Sequence, residues 1–206
     1  VFEVSHATLS NALEGTVGTT YQNPRSSDGF GWNCPTQDLF NAFADDDPRR
    51  DATILTDGET VTSPQGNTET VDVIGACSAV GTEGGYLNQK RWRPLGERGS
   101  PRKGATNLRV IRYAHVLLWH AEAANENDNQ SVALTSLNKV RQRARDDDNN
   151  PANDPDVLPD ITTSDKAELR QAIWHEQRVE FAMEYQRFFN LVRQDRAADL
   201  LGDKGF

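Results

Sequence analysis

Between Asp165 and Glu184 the chain has helical periodicity, yet the face that should be apolar carries acid. At about 100° per residue, Leu169, Ile173, Glu176, Glu180 and Met183 share one side. An ionised carboxylate is too costly to bury without partners. The fold must therefore bring cations to this face or open it to a substrate. As a catalytic pair, two Glu one helical turn apart have Cβ atoms ~6 Å apart. Retaining glycosidases need carboxyl groups roughly 5 Å apart, which this spacing does not exclude. Such a pair must flank a substrate cleft, however, and the rest of this face is Leu, Ile and Met. His175-Glu176 also opens the zinc pattern His-Glu-x-x-His, but Val179 stands where the second His is required, and the metal reading fails. The structural alternative is ion pairing. Arg112, Arg178, Arg187 and Arg193 are available, and Arg187 falls three residues after Glu184. We read the face as an internal ion-pair lattice.

The rest of the second half is helical by pattern. Leu108–Asn125 repeats Val110, Ala114, Leu117 and Ala121 on one side, with Ile111 and Leu118 beside them. Arg112, His115, Trp119 and Glu122 form a second stripe, whose histidines read as packing residues rather than ligands. Gln130–Arg145 places Ala133, Leu137, Val140 and Ala144 on one face, and the short link 126–129 makes the two helices a hairpin. The helix from Asp165 is expected to bend at Tyr185-Gln186 and resume from Arg187 to Leu201. Trp119 and Trp174 read as core residues.

Residues 1–107 differ in character, being rich in Gly, Thr, Ser, Asn and Asp. A short helix is expected over 36–43, capped by Thr36 and ended before Pro48. Strands are expected at 1–4, 51–55 and 71–74, and an irregular loop at 84–104. Cys34 and Cys77 can form one disulfide or remain two thiols. The Asp-rich loop 146–160 begins like a calcium loop, but Pro151 and Val157 occupy the places of its Gly and Glu.

Composition excludes some partners. Asp and Glu number 31 against 22 Lys and Arg, for a net charge of -9, and no basic stripe suggests nucleic acid. No apolar run is long enough for a transmembrane helix. No motif asks for a cofactor or a metal. The chain opens on Val1, in what reads as a strand, without a signal peptide. We expect an N-terminal part, with any export signal, to precede it.

Taken in order, several stretches resemble one family. Arg112-Tyr-Ala-His-Val-Leu-Leu-Trp-His-Ala-Glu-Ala123 and Leu137-Asn-Lys-Val-Arg-Gln-Arg-Ala144 are similar to consecutive helices of the SusD/RagB nutrient-binding lipoproteins. His175-Glu-x-Arg-Val-Glu180, followed by Glu184-x-x-Arg187-x-Phe-x-Leu-Val-Arg193, resembles their C-terminal signature. Pro35-Thr-Gln-Asp-Leu39 and Asp47-Pro-Arg-Arg50 look like two further landmarks, and Val1-Phe-Glu-Val4 like the strand upstream. Departures are Gln177 where Arg is usual, Tyr185-Gln186 where Gly-His is common, and Asn190 where Asp is common.

The resemblance implies a mainly α fold of tetratricopeptide-like helical hairpins with minor β. One C-terminal domain would span 1–206, with a loop-rich ligand-side half (1–107) and a helical half (108–206). It implies a protein that is not an enzyme and that is lipid-anchored at the outer membrane, exposed on the cell surface, through the missing N-terminal part. Its partners would be a glycan or other nutrient and a TonB-dependent outer-membrane transporter. In such proteins aromatic platforms on loops meet the C–H face of a sugar. The loop aromatics here are Tyr21, Phe30, Trp32, Tyr86 and Trp92. Trp32, in Gly29-Phe-Gly-Trp-Asn33, and Tyr21 are the expected ligand contacts, with Asn33 as polar neighbour.

Overall fold

The computed structural model describes residues 2–5, 18–25, 29–63, 66–73, 85–93, 106–146 and 157–202. In chain order the elements are β1 (Phe2–Val4), α1 (Gly18–Gln22), α2 (Gln37–Phe40), α3 (Pro48–Asp51), β2 (Ile54–Leu55), β3 (Thr60–Thr62), β4 (Thr68–Thr70) and β5 (Leu87–Asn88). A 3-10 turn (Gln89–Arg91) and β6 (Leu108–Ile111) lead to the main helices. These are α4 (Tyr113–Glu126), α5 (Gln130–Arg145), α6 (Lys166–Glu180), α7 (Arg187–Arg193) and α8 (Ala197–Leu201). The fold is mainly α, with a loop-rich first half and three small antiparallel strand pairs: β1 with β6, β2 with β5, and β3 with β4.

α4, α5 and α6 form the principal core. Ala114, Leu118 and Ala121 meet Ala133, Leu137 and Val140, and Leu169, Ile173 and Phe181 close the third side. These are the apolar positions at helical spacing, so burial follows the pattern. Asn129 caps α5 through Val132 N–H, and Asp165 caps α6 by accepting from Ala167 and Glu168 N–H. A second cluster gathers Leu55, Val71, Val73, Leu87 and Trp92. A third joins the halves: Phe43, Ile54 and Tyr86 pack on Val179 and Ala182 at the end of α6.

Several boundaries differ from expectation. Leu108–Ile111 is a strand, not the first turn of a helix, because it pairs Glu3 with Arg109 and Val4 with Leu108. α4 starts at Tyr113, where His115 Nδ1 accepts from Arg112 N–H at 3.0 Å. α6 ends at Glu180 rather than Glu184. Met183 and Tyr185 then take left-handed backbone (φ 64° and 66°), so the helical phase is lost before α7. The helix expected over 187–201 is two, broken at Asp195 (φ 54°). Thr36 caps α2 through Leu39 N–H as expected, but Pro48 begins α3, where a missing N–H costs nothing. The strand expected over 51–55 is only Ile54–Leu55, since Asp51 belongs to α3. The strand expected at 71–74 is replaced by β4 over 68–70, and Ile74 lies outside the described residues. Cys34 is disulfide-bonded, and Cys77, the other cysteine, lies outside the described residues. Most of the Asp-rich loop, and with it the calcium reading, lies outside them too.

Candidate functional site

Two features stood out in the chain: the carboxylates of α6, read as an ion-pair lattice, and the aromatic loop of the first half, expected to contact a ligand. The carboxylates are sealed. Glu176 and Glu180 are 1% and 3% exposed. Glu176 Oε1 is bound by Arg49, and its Oε2 by Arg141 Nη1 at 2.8 Å. Glu180 Oε1 takes Arg112 Nη1 at 2.8 Å, while its Oε2 takes Arg143 Nη2 at 2.8 Å and Arg49 Nη1 at 3.3 Å. Arg49 is itself held bidentately by Asp47 (2.9 and 2.8 Å). Glu184 extends the lattice to Arg112 (2.9 Å) and Lys90 (2.7 Å). Burial opposes the charge on Glu180, but Arg143, Arg112 and Arg49 hold its carboxyl below the usual range. Glu180, with both oxygens saturated and its pKa depressed, is badly placed to give up or accept a proton. Both oxygens of Glu176 are taken by arginines. The geometry therefore makes the pair structural rather than catalytic.

The lattice matches the expectation in kind but differs in membership. Arg112 takes part. Arg178 turns instead to Asp38 (2.6 Å), and Arg193 clasps Glu122 with both Nη atoms (2.6 and 2.9 Å). The Arg187 side chain makes no hydrogen bond or ion pair among the described residues. The left-handed turns at 183–185 swing it off the Glu180 face. Burial, with Arg178 and Arg196 nearby, pushes its guanidinium down to about 10. Arg49, Arg141 and Arg143 were missed. Arg49 lies in a four-residue helix too short to show periodicity, and the two others flank the apolar stripe of α5. Trp119, expected in the core, is exposed, and Trp174 is half-buried, donating Nε1–H to Glu122 at 3.0 Å under the Arg196 guanidinium. Gln177, the departure from Arg, donates to Glu122 (2.8 Å) and accepts from Gln194 (3.1 Å), so a neutral amide serves there.

The aromatic loop is arranged quite differently. Tyr21, at the end of α1, stacks on Trp32 with ring centroids 4.9 Å apart and planes 25° apart. Phe30 packs edge-on to Tyr21 (5.5 Å) and tilted to Trp32 (5.6 Å). The three rings are 37%, 50% and 47% exposed for Tyr21, Trp32 and Phe30. The backbone holds them: Trp32 N–H donates to Tyr21 O (2.8 Å), and Gly31 N–H to Asn23 O (2.9 Å). Gly31 is left-handed (φ 63°), and a Cβ at Gly29 would sit 2.1 Å from Asn23 O, so both glycines are required. Asn33, also left-handed, donates its amide to Gln22 Oε1 at 2.9 Å. Asn88 donates to the same oxygen at 2.6 Å, tying the loop to β5. Trp32, Tyr21 and Asn33 thus fall at one exposed place. Phe30, one of the loop aromatics but not one of the expected contacts, joins them through the Gly-Phe-Gly-Trp run. Tyr86 and Trp92, the other candidates, are buried.

Among the described residues, no group of three or more His, Cys, Asp or Glu could hold a metal ion. No described helix is long and apolar enough to cross a membrane.

A helical lattice sealed by arginines beside an aromatic loop defines a recognisable class. The sequence model of the SusD family matches residues 3–204, and the chain belongs to that family. SusD-like proteins P38 and P2 of Formosa agariphila are 35% and 34% identical to it over 104 and 107 residues. Each alignment covers 50% of this chain and only 20% of the relative. A SusD-like carbohydrate-binding protein of Bacteroides fragilis superposes with a TM-score of 0.70 at 23% identity, covering 98% of this chain and 42% of that one. Surface glycan-binding protein A of Bacteroides uniformis gives 0.64 at 24% identity, covering 98% and 38%. These likenesses establish the fold.

Proposed function

We propose that this chain contacts a glycan at the cell surface, in a non-catalytic protein that hands its ligand to a TonB-dependent outer-membrane transporter. Lipid anchoring at the outer membrane belongs to the same reading. Family membership supports it, as do the solved relatives described as carbohydrate- or glycan-binding. The observation that carries it is the exposed stack of Tyr21, Trp32 and Phe30. Exposing three adjacent rings is unfavourable unless something covers them. A flat aromatic face suits a pyranose C–H face, and Trp32 and Asn33 bring an indole N–H donor and an amide oxygen acceptor to the same exposed loop for hydroxyls.

The test is a glycan array followed by affinity gels with the wild type and Trp32→Ala. Binding without turnover is expected, with affinity reduced about tenfold or more in the variant, equivalent to about 1.4 kcal/mol. Unchanged binding in a folded Trp32→Ala protein rejects the platform. Turnover abolished by Glu180→Gln in a folded protein would reinstate a hydrolase.

A second reading, a helical interaction scaffold, is favoured by one observation. Tyr113, Val116 and Trp119 leave an exposed apolar row on α4. If that reading is right, charged substitutions along this row break association with the partner while leaving glycan binding intact.

A further inference from the structure

Tyr185 lines a cavity of about 910 Å³, within the size range of small-molecule sites. The cavity floor is the upper layer of the ion-pair lattice, where Glu180 and Glu184 are answered by Arg49, Lys90 and Arg112. Those groups are already engaged with one another. The rim is different. Arg109 is 70% exposed, and its ion-pair partner, Glu3, stands at 4.0 Å. Arg143 is 55% exposed and commits one nitrogen to Glu180. Arg91 offers Nη1 to Asn107 O at a long 3.5 Å.

Seven Lys or Arg residues line the cavity against four Asp or Glu, in a chain whose net charge is -9. A cationic concavity on an acidic molecule reverses the prevailing field. Low-dielectric walls focus that field on whatever enters. Guanidinium forks match the paired oxygens of a sulfate or carboxylate. One hydrogen bond links the cavity wall to the segment that bears the platform. The Tyr185 hydroxyl accepts from Gln22, the residue after Tyr21.

We propose that this cavity binds the acidic substituent, sulfate or carboxylate, of an anionic saccharide, with Arg91, Arg109 and Arg143 as the reading groups. The saccharide part rests on the glycan reading above; the anion part rests on the cavity alone.

The experiment uses the protein at its natural length as wild type, Trp32→Ala and the double variant Arg91→Gln/Arg109→Gln. Both rim side chains lie outside the sealed lattice, so the double variant should keep its melting temperature. Titration calorimetry at low and at physiological salt uses four probes: dextran sulfate oligosaccharide, oligogalacturonate, neutral dextran of matched length, and sodium sulfate. At least one acidic oligosaccharide should bind about tenfold or more tightly than neutral dextran at low salt. That advantage should shrink with salt and vanish in the double variant.

No binding of either acidic probe overturns the proposal. So does an acidic advantage that survives in the folded double variant. Tight binding of sodium sulfate without either oligosaccharide overturns the saccharide assignment. Trp32→Ala separates the two readings: an advantage lost in the double variant but untouched by Trp32→Ala leaves the cavity standing and removes the platform.

Discussion

Arg49 sits at the centre of the molecule's electrostatics. It lies between Asp47, Glu176 and Glu180, and its charged form is raised in pKa: burial opposes it, but Glu176 and Asp47 outweigh the burial. Replacing it with Met should cost on the order of 3–5 kcal/mol, because three buried carboxylates lose their common partner. Urea unfolding of Arg49→Met checks this, and a loss below about 1 kcal/mol would show that Arg141, Arg112 and Arg143 suffice. The need for such cations was legible in the chain, since Glu176 and Glu180 fall on the apolar side of a helix. Of the cations that answer, Arg112 was among those expected, while Arg49, Arg141 and Arg143 were not. Partners 127 and 131 residues away leave no local trace, and the nearer choice, Arg187, was displaced by two backbone residues of positive φ. That Tyr21, Trp32 and Asn33 would share one exposed loop was legible, because glycines flank them and polar residues surround them. That the rings stack on one another was not, because Gly31 N–H and Trp32 N–H reach back to Asn23 and Tyr21 through backbone alone.

At the scale of elements, α4, α5 and α6 follow their apolar periodicity, while the ends of elements follow local chemistry. Leu108–Ile111 shows why: its residues fit the helical stripe equally well, and only pairing with β1 makes them a strand. Single left-handed residues set the other breaks. Asp195 is one, exposed between α7 and α8. Asp195→Gly should hold or raise stability by up to about 1 kcal/mol, and Asp195→Val should lower it by about 1–2 kcal/mol. Thermal melts of the two variants give the sign directly. Equal melting temperatures would mean that the turn gives way without cost.

Across the whole molecule, protons link these elements. Glu180, Glu184 and Glu122 have carboxyls held below their ordinary value of 4.5 by arginines and Lys90, although burial opposes it. Burial also lowers His115 and His175 below 6.5, helped for His115 by Arg112. In every case the folded form binds fewer protons than the unfolded form, so acidification favours unfolding. Stability should be full above about pH 7, decline gently below 6.5 as unfolded histidines protonate, and fall steeply below 4.5. Denaturation midpoints from pH 8 to 3.5 check the profile, and a midpoint that rises on acidification contradicts it.

The lattice also imposes a schedule. A ribosome synthesises Arg49 127 residues before Glu176. At about 5–20 residues per second, that guanidinium waits roughly 6–25 s for its carboxylate. During that interval the first half has its aromatic loop and short strands but not the acids that neutralise its centre. A growing chain can therefore finish the packing around Arg49 in its first half only after α6 emerges. Premature termination anywhere before α6 would leave Arg49 with Asp47 as its remaining lattice partner.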